Sequence, residues 1–220
     1  MQEPPPAPEP VPSEDDGVAV LQIDAPCPDL IDLEPHALLG TLTPQERACA
    51  ETALATADRQ TGKDKASRLL ISNAYAAGDT EQWAALLKSH LETIDQSDPA
   101  MVYRYALHQQ RRGHSADAIR WSEVALENRT IWTGSSYVRN VNGLYKLRAA
   151  AGQSRWKAAT ERYQASPTPE TSAEVDDLRS RARVYAREWL EYAREAGLDT
   201  TVAYDLCVST AGTTSYCEAP

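Results

Sequence analysis

Phenylalanine is absent from the 220 residues, although ten tyrosines and five tryptophans are present. No apolar run approaches the ~18–20 residues that a membrane-spanning helix requires. No CxxC spacing occurs, which argues against a zinc ribbon or a thioredoxin-type site. A GxSxG elbow, a glycine-rich phosphate loop and an HExxH helix are also missing, so nothing points to a hydrolase, a nucleotide enzyme or a metalloprotease. The opening stretch MQEPPPAPEPVPSEDDG has neither a basic region nor an apolar one, and does not read as a signal peptide.

Basic residues are missing from the first 46 positions, which carry ten acidic ones. From Arg47 onward, 22 Lys/Arg face the remaining 22 Asp/Glu. Residues 101–163 hold eleven basic side chains against four acidic ones. The chain has an acidic head and a basic waist within a formal net charge of −10. Such a split predicts an acidic partner, or an intramolecular contact of the acidic segment with the waist. An ordinary solvated surface is the plain alternative. The overall negative charge argues against nucleic acid.

Four cysteines stand at 27, 49, 207 and 217. An even count suits two disulfides, and proximity favours Cys27–Cys49 and Cys207–Cys217, one staple at each end. Residues 1–17 form a Pro-rich acidic linker of the kind that follows a removed signal or a lipid-anchored cysteine. Paired cysteines and linker together predict an exported protein, periplasmic or envelope-associated, with any membrane attachment through such a leader or lipid. Four free thiols in a cytoplasmic protein are the alternative.

Residues 18–42 are interrupted by Pro26, Pro28 and Pro35, which predicts an irregular segment lying along the helices behind it. Helix grammar begins at Thr43, with Pro44 at the first helical position and Glu46 completing a capping box. That helix should stop before Gly62. Helices are then expected over 65–77, from Thr80, from Pro99 to Gly113, after Ser115, from Ser135 or Ser136 to Gly152, and over 154–166. Seven helices on short loops predict an all-α stack of antiparallel hairpins. Residues 172–196 form a longer helix with Val175, Leu178, Ala182, Tyr185, Trp189, Tyr192 and Ala196 on one stripe. That stripe suits a C-terminal cap buried on the hairpins, or else a seam for a partner. Residues 198–220 should close the chain as a disulfide-tied tail.

The turn glycines Gly78, Gly113 and Gly152 recur at 35 and 39 residues. Ala106, Gly113, Ala118 and Ala125 occupy the small positions of a helix–turn–helix unit. Leu70, Ile71, Ala74 and Gly78 fit the unit before it, and Ala158 and Ala165 the unit after. Over residues 63–166 the chain resembles the tetratricopeptide repeat (TPR) family, departing from its pattern at Trp83, His90 and Thr130. This resemblance implies an α-solenoid with a concave groove that holds a peptide or partner protein. Polar positions on the groove-lining helices are Asn73, Arg104, His108, Arg111, Arg139, Asn142 and Lys146. Arginines on a rigid helix bind carboxylates bidentately, so an acidic peptide or C-terminal carboxylate is the expected ligand.

Other candidates read as structural. The four histidines (His36, His90, His108, His114) lack i, i+4 ligand spacing, and no metal or other cofactor is expected. The carboxylates of Glu188, Glu191, Glu195, Asp176 and Asp177 lie in Arg-rich helix and suit surface ion pairs better than an acid–base dyad. Trp83, Trp121, Trp156 and Trp189 suit packing between helices. The expected function is therefore a non-enzymatic interaction scaffold. The alternatives are an assembly component using the 172–196 helix and, more remotely, an all-α carboxylate enzyme.

Overall fold

A computed structural model describes residues 26–129 and 135–218. Most of the expected linker and acidic head, residues 1–25, and Thr130 lie outside the described residues. The described residues form ten helices and no strand. They are α1 (Leu30–Leu39), α2 (Pro44–Thr56), α3 (Gln60–Ala76), α4 (Thr80–Thr93) and α5 (Pro99–Arg111). Then follow α6 (Ser115–Glu127), α7 (Ser135–Ala165), α8 (Pro169–Glu195), α9 (Thr201–Ala211) and α10 (Ser215–Glu218). None is long and apolar enough to cross a membrane.

Local chemistry sets several of the helix starts. Thr43 accepts from Glu46 N at 3.2 Å while its own N donates to Glu46 Oε2 at 2.8 Å, the expected capping box. Asp98 Oδ1 accepts from Ala100 N and Met101 N, satisfying two donors that an α-helix leaves open at its N-terminus. Most helices then pack on their neighbours in the chain, but α1 packs on α3 rather than on α2, and α5 also packs on α7. Ala74, Ala106, Ala118 and Ala125 are all buried, as close packing around Gly113 requires.

Three expectations need correction. The 18–42 segment is not wholly irregular, because α1 forms across Pro35. Proline removes one helical hydrogen bond at a cost of about 3 kcal/mol. Burying Leu33 and Ala37 on α3 offsets part of that, each at 1% exposure. The loop after α1 is equally tight: a Cβ on Gly40, at φ 71°, would come within 2.5 Å of Ala77 N.

Gly62 does not end a helix. The break falls at residues 57–59, where Ala57 and Arg59 are extended, and Gly62 sits in the first turn of α3.

Gly152 is not a turn either. Residues expected as two helices form the single 31-residue α7. Only Gly78 and Gly113 of the three glycines take the left-handed turn conformation. Gly152 instead lets α8 approach, since a Cβ there would lie 2.9 Å from Tyr185 Cδ2 and 3.4 Å from Ala182 Cα. The small pair Ala158 and Ala165 is exposed, and Ala159 is the buried residue of that stretch. A glycine mid-helix costs about 1 kcal/mol, small against the packing of two long helices.

The α8 stripe is used internally. Of its seven residues, Leu178, Ala182 and Trp189 are buried and the other four half-buried. Ala186 and Leu190 beside them are buried too, so most of this face packs within the chain. Its surface carboxylates pair as expected: Asp177 with Arg181, Glu191 with Arg187, and Glu188 with Arg148. The absence of phenylalanine is met by tyrosine and tryptophan. Tyr105 meets Trp121 edge-on at 5.8 Å and Tyr145 stacks on Tyr192 at 4.9 Å. Both ends are tied by disulfides, Cys27–Cys49 with Cα atoms 5.5 Å apart and Cys207–Cys217 at 6.0 Å. Arg194 Nη2 donates to Cys217 O at 2.9 Å and holds the tail on α8.

Candidate functional site

The end of α3, the start of α4 and the exposed face of α5 enclose a cleft of about 640 Å³. Its position follows from the Gly78 turn, which brings Tyr75 of α3 and Trp83 of α4 to the same side. Tyr75 is a large apolar surface at 67% exposure. The Trp83 ring stands 5.6 Å from Tyr75 and 5.6 Å edge-on from His108. Its indole N–H is buried without an acceptor among the described residues.

Arg104, His108 and Arg111 sit at i, i+4 and i+7 on α5 and so share a face. All three line the cleft, with Leu107 and Arg112. Arg112 is engaged by Glu81 at 2.6 Å. Among the described residues, Arg104 and Arg111 have no acidic partner. Burial first, and then the charge of Arg112, hold the His108 imidazole below its ordinary range, so it is neutral at pH 7. The cleft thus combines an aromatic wall with two uncompensated guanidinium groups and a neutral imidazole. Guanidinium groups pair with carboxylates in general, often bidentately.

Four of the seven expected binding residues lie elsewhere. Asn73 is buried, and its Oδ1 accepts from Leu42 N at 3.1 Å, so it anchors the loop after α1. Asn142 accepts from Trp189 Nε1 at 2.8 Å and is occupied by α8. Arg139 and Lys146 are exposed on α7 and do not line the cleft. They were expected on the first helix of a hairpin turning at Gly152, and the continuous α7 has no such hairpin. Tyr75, Trp83, Leu107 and Arg112 were missed as cleft residues. The Arg111–Arg112 doublet before Gly113 and the aromatic pair flanking Gly78 were the available signals.

Comparison with protein-family models, with curated proteins and with solved structures yields no match. Function therefore rests on the chemistry of the sites.

A second polar group is buried between the cleft helices. His90 of α4 is fully buried, with Nδ1 3.1 Å from Ser67 Oγ. Asp98 is 3% exposed and Asp64 is half-buried, and both are engaged by Arg68. Despite its burial, the Asp98 carboxyl is held below its ordinary range by the nearby His90 ring, the Met101 N–H and the Arg68 charge. Among the described residues, Asp64, His90 and Asp98 form a group that could hold a metal ion. The other histidines have protein roles: His36 pairs with Glu46 at 2.7 Å, and His114 lies 2.8 Å from Gln109 Oε1.

Proposed function

We propose that this protein is a non-enzymatic scaffold that holds an acidic segment of a partner protein in the Arg104–His108–Arg111 cleft. The observation that carries the reading is the pair Arg104 and Arg111, which have no ion-pair partner among the described residues and stand beside the Trp83–Tyr75 wall. Unpaired guanidinium groups on a rigid helix lose little side-chain entropy on binding a carboxylate. The buried Trp83 N–H is a donor that a bound backbone carbonyl or carboxylate would satisfy after a small ring movement.

In this reading the chain is a TPR-like stack of helical hairpins around Gly78 and Gly113, capped by α7 and α8. Two disulfides support an exported, envelope-associated location. Intact mass after alkylating the unreduced protein from its native source tests that location, with no free thiol expected.

Fluorescence anisotropy with labelled Asp/Glu-rich peptides, in both free-acid and amidated forms, tests the binding role. Arg104→Glu with Arg111→Glu should abolish binding, while Arg139→Glu with Lys146→Glu should leave it within about twofold. Equal loss in both double variants would reduce the cleft to one part of a diffuse basic surface.

A further inference from the structure

Three side chains from three helices converge on one point, at the opposite ends of α3, α4 and α5 from the cleft. Asp64 comes from α3, His90 from the last turn of α4, and Asp98 from the cap of α5. Their donor atoms all lie within 4.8 Å of one another. His90 Nε2 is fully buried and has no hydrogen-bond partner. It faces Asp98 Oδ2 at 3.7 Å and Asp64 Oδ1 at 3.9 Å. These separations are longer than a hydrogen bond and close to the ~3.3–3.6 Å between donors that share one tetrahedral ion at about 2.0–2.2 Å.

The other ring nitrogen completes the pattern. Nδ1 lies against the buried Ser67 hydroxyl, the kind of outer contact that fixes the tautomer and orientation of a ligating histidine. The charge balance points the same way, because two carboxylates face only one guanidinium. Arg68 Nε donates to both Asp64 oxygens at 2.8 Å, and its Nη2 donates to Asp98 Oδ2. These include the same two oxygens that face His90.

We infer that Asp64, His90 and Asp98 form a binding site for a first-row divalent cation, zinc fitting best, which exchanges with the Arg68 guanidinium at those carboxylate oxygens. One imidazole and two carboxylates suit zinc, with water as the fourth ligand. Arg68 has room to withdraw: its side chain is 40% exposed and lines a second cleft of about 570 Å³ between α1 and α3. Binding ties together the three helices that build the Arg104–His108–Arg111 cleft. The assignment does not depend on what that cleft holds.

The full-length chain, disulfides intact, untagged and stripped with chelator, is titrated with zinc chloride by calorimetry. Cobalt(II) absorption reads the coordination geometry. One equivalent of zinc should bind, raise Tm and yield a tetrahedral cobalt spectrum. Arg68→Gln should tighten binding by about tenfold, and His90→Gln should weaken it by about a hundredfold or more. Asp64→Asn, at a half-exposed position, gives the same loss should His90→Gln fail to fold. No zinc uptake by either the wild-type chain or folded Arg68→Gln would overturn the assignment. So would affinity unchanged in Asp64→Asn, or nitrogen shifts showing the His90 ring as an imidazolium in the zinc-saturated protein.

Discussion

Trp189 Nε1 donates to Asn142 Oδ1 at 2.8 Å, joining the C-terminal third of α8 to the first half of α7. One contact decides two sequence expectations at once. Asn142, expected in a groove, is turned toward α8. Trp189, a candidate seam residue, is 5% exposed inside its own chain. Trp189→Ala should therefore lower stability by about 3–5 kcal/mol in urea unfolding. Light scattering should show an unchanged mass. Asn142→Ala should cost about 1–3 kcal/mol, since it strands a buried indole donor.

Gly152 makes a separate prediction about the same pair of helices. Tyr185 is held on both sides, by Glu123 Oε1 at 2.8 Å and by the Arg148 guanidinium 4.8 Å from its ring, so it cannot yield easily. Gly152→Val should destabilise by about 1–3 kcal/mol through overpacking, despite removing a flexible residue. Ala158→Val, exposed on the same helix, should stay within about 0.5 kcal/mol. Parallel thermal unfolding of the two variants checks this, and equal effects would mean that α8 does not approach at Gly152.

Burial, reinforced by the Glu123 carboxylate, pushes the Tyr185 phenol up to about 12 from its ordinary 10.0. The phenol is protonated in the folded chain where the unfolded chain would already have ionised. Its stabilising contribution is complete below pH 10, and it is lost as pH rises through 12. Denaturant midpoints should fall across that window in the wild type and fall less in Tyr185→Phe. Absorbance of the phenolate should assign the latest-titrating tyrosine to Tyr185.

The acidic head supplies a functional test. Residues 1–25 carry six acidic side chains and no basic one. If that segment competes for the Arg104–Arg111 cleft, its removal should raise the affinity for acidic peptides. The gain should be largest at low salt and fade as the Debye length falls below about 8 Å. Anisotropy at two ionic strengths decides it. Equal affinity with and without residues 1–25 would mean that the head does not reach the cleft.

Much of this protein was legible because its signals are local. A capping threonine with Glu46 three residues on, a proline at the first helical position and an apolar stripe each act within one or two helical turns. They predict helix type and starts wherever nothing distant competes. The cysteine pairing was legible for the same reason, since each pair is close in sequence. Arg104, His108 and Arg111 were found because one helix face carries all three.

Other features depended on distance in the chain. Gly62 and Gly152 carry the same residue type as Gly78 and Gly113. Whether a glycine turns the chain or admits a neighbouring helix depends on what packs against it, and for Gly152 that is Tyr185, 33 residues on. Pro35 forbade a helix by local rule, and burial of Leu33 on α3 overrode it. Asp64, His90 and Asp98 share no sequence spacing at all; three separate helices bring them together. Composition and short-range pattern determined an all-α chain, its helix starts and its basic waist, because those are settled within a few residues. Tertiary structure alone decided which glycines turn, which polar groups are buried and which distant side chains meet, because packing free energy there exceeds local preference.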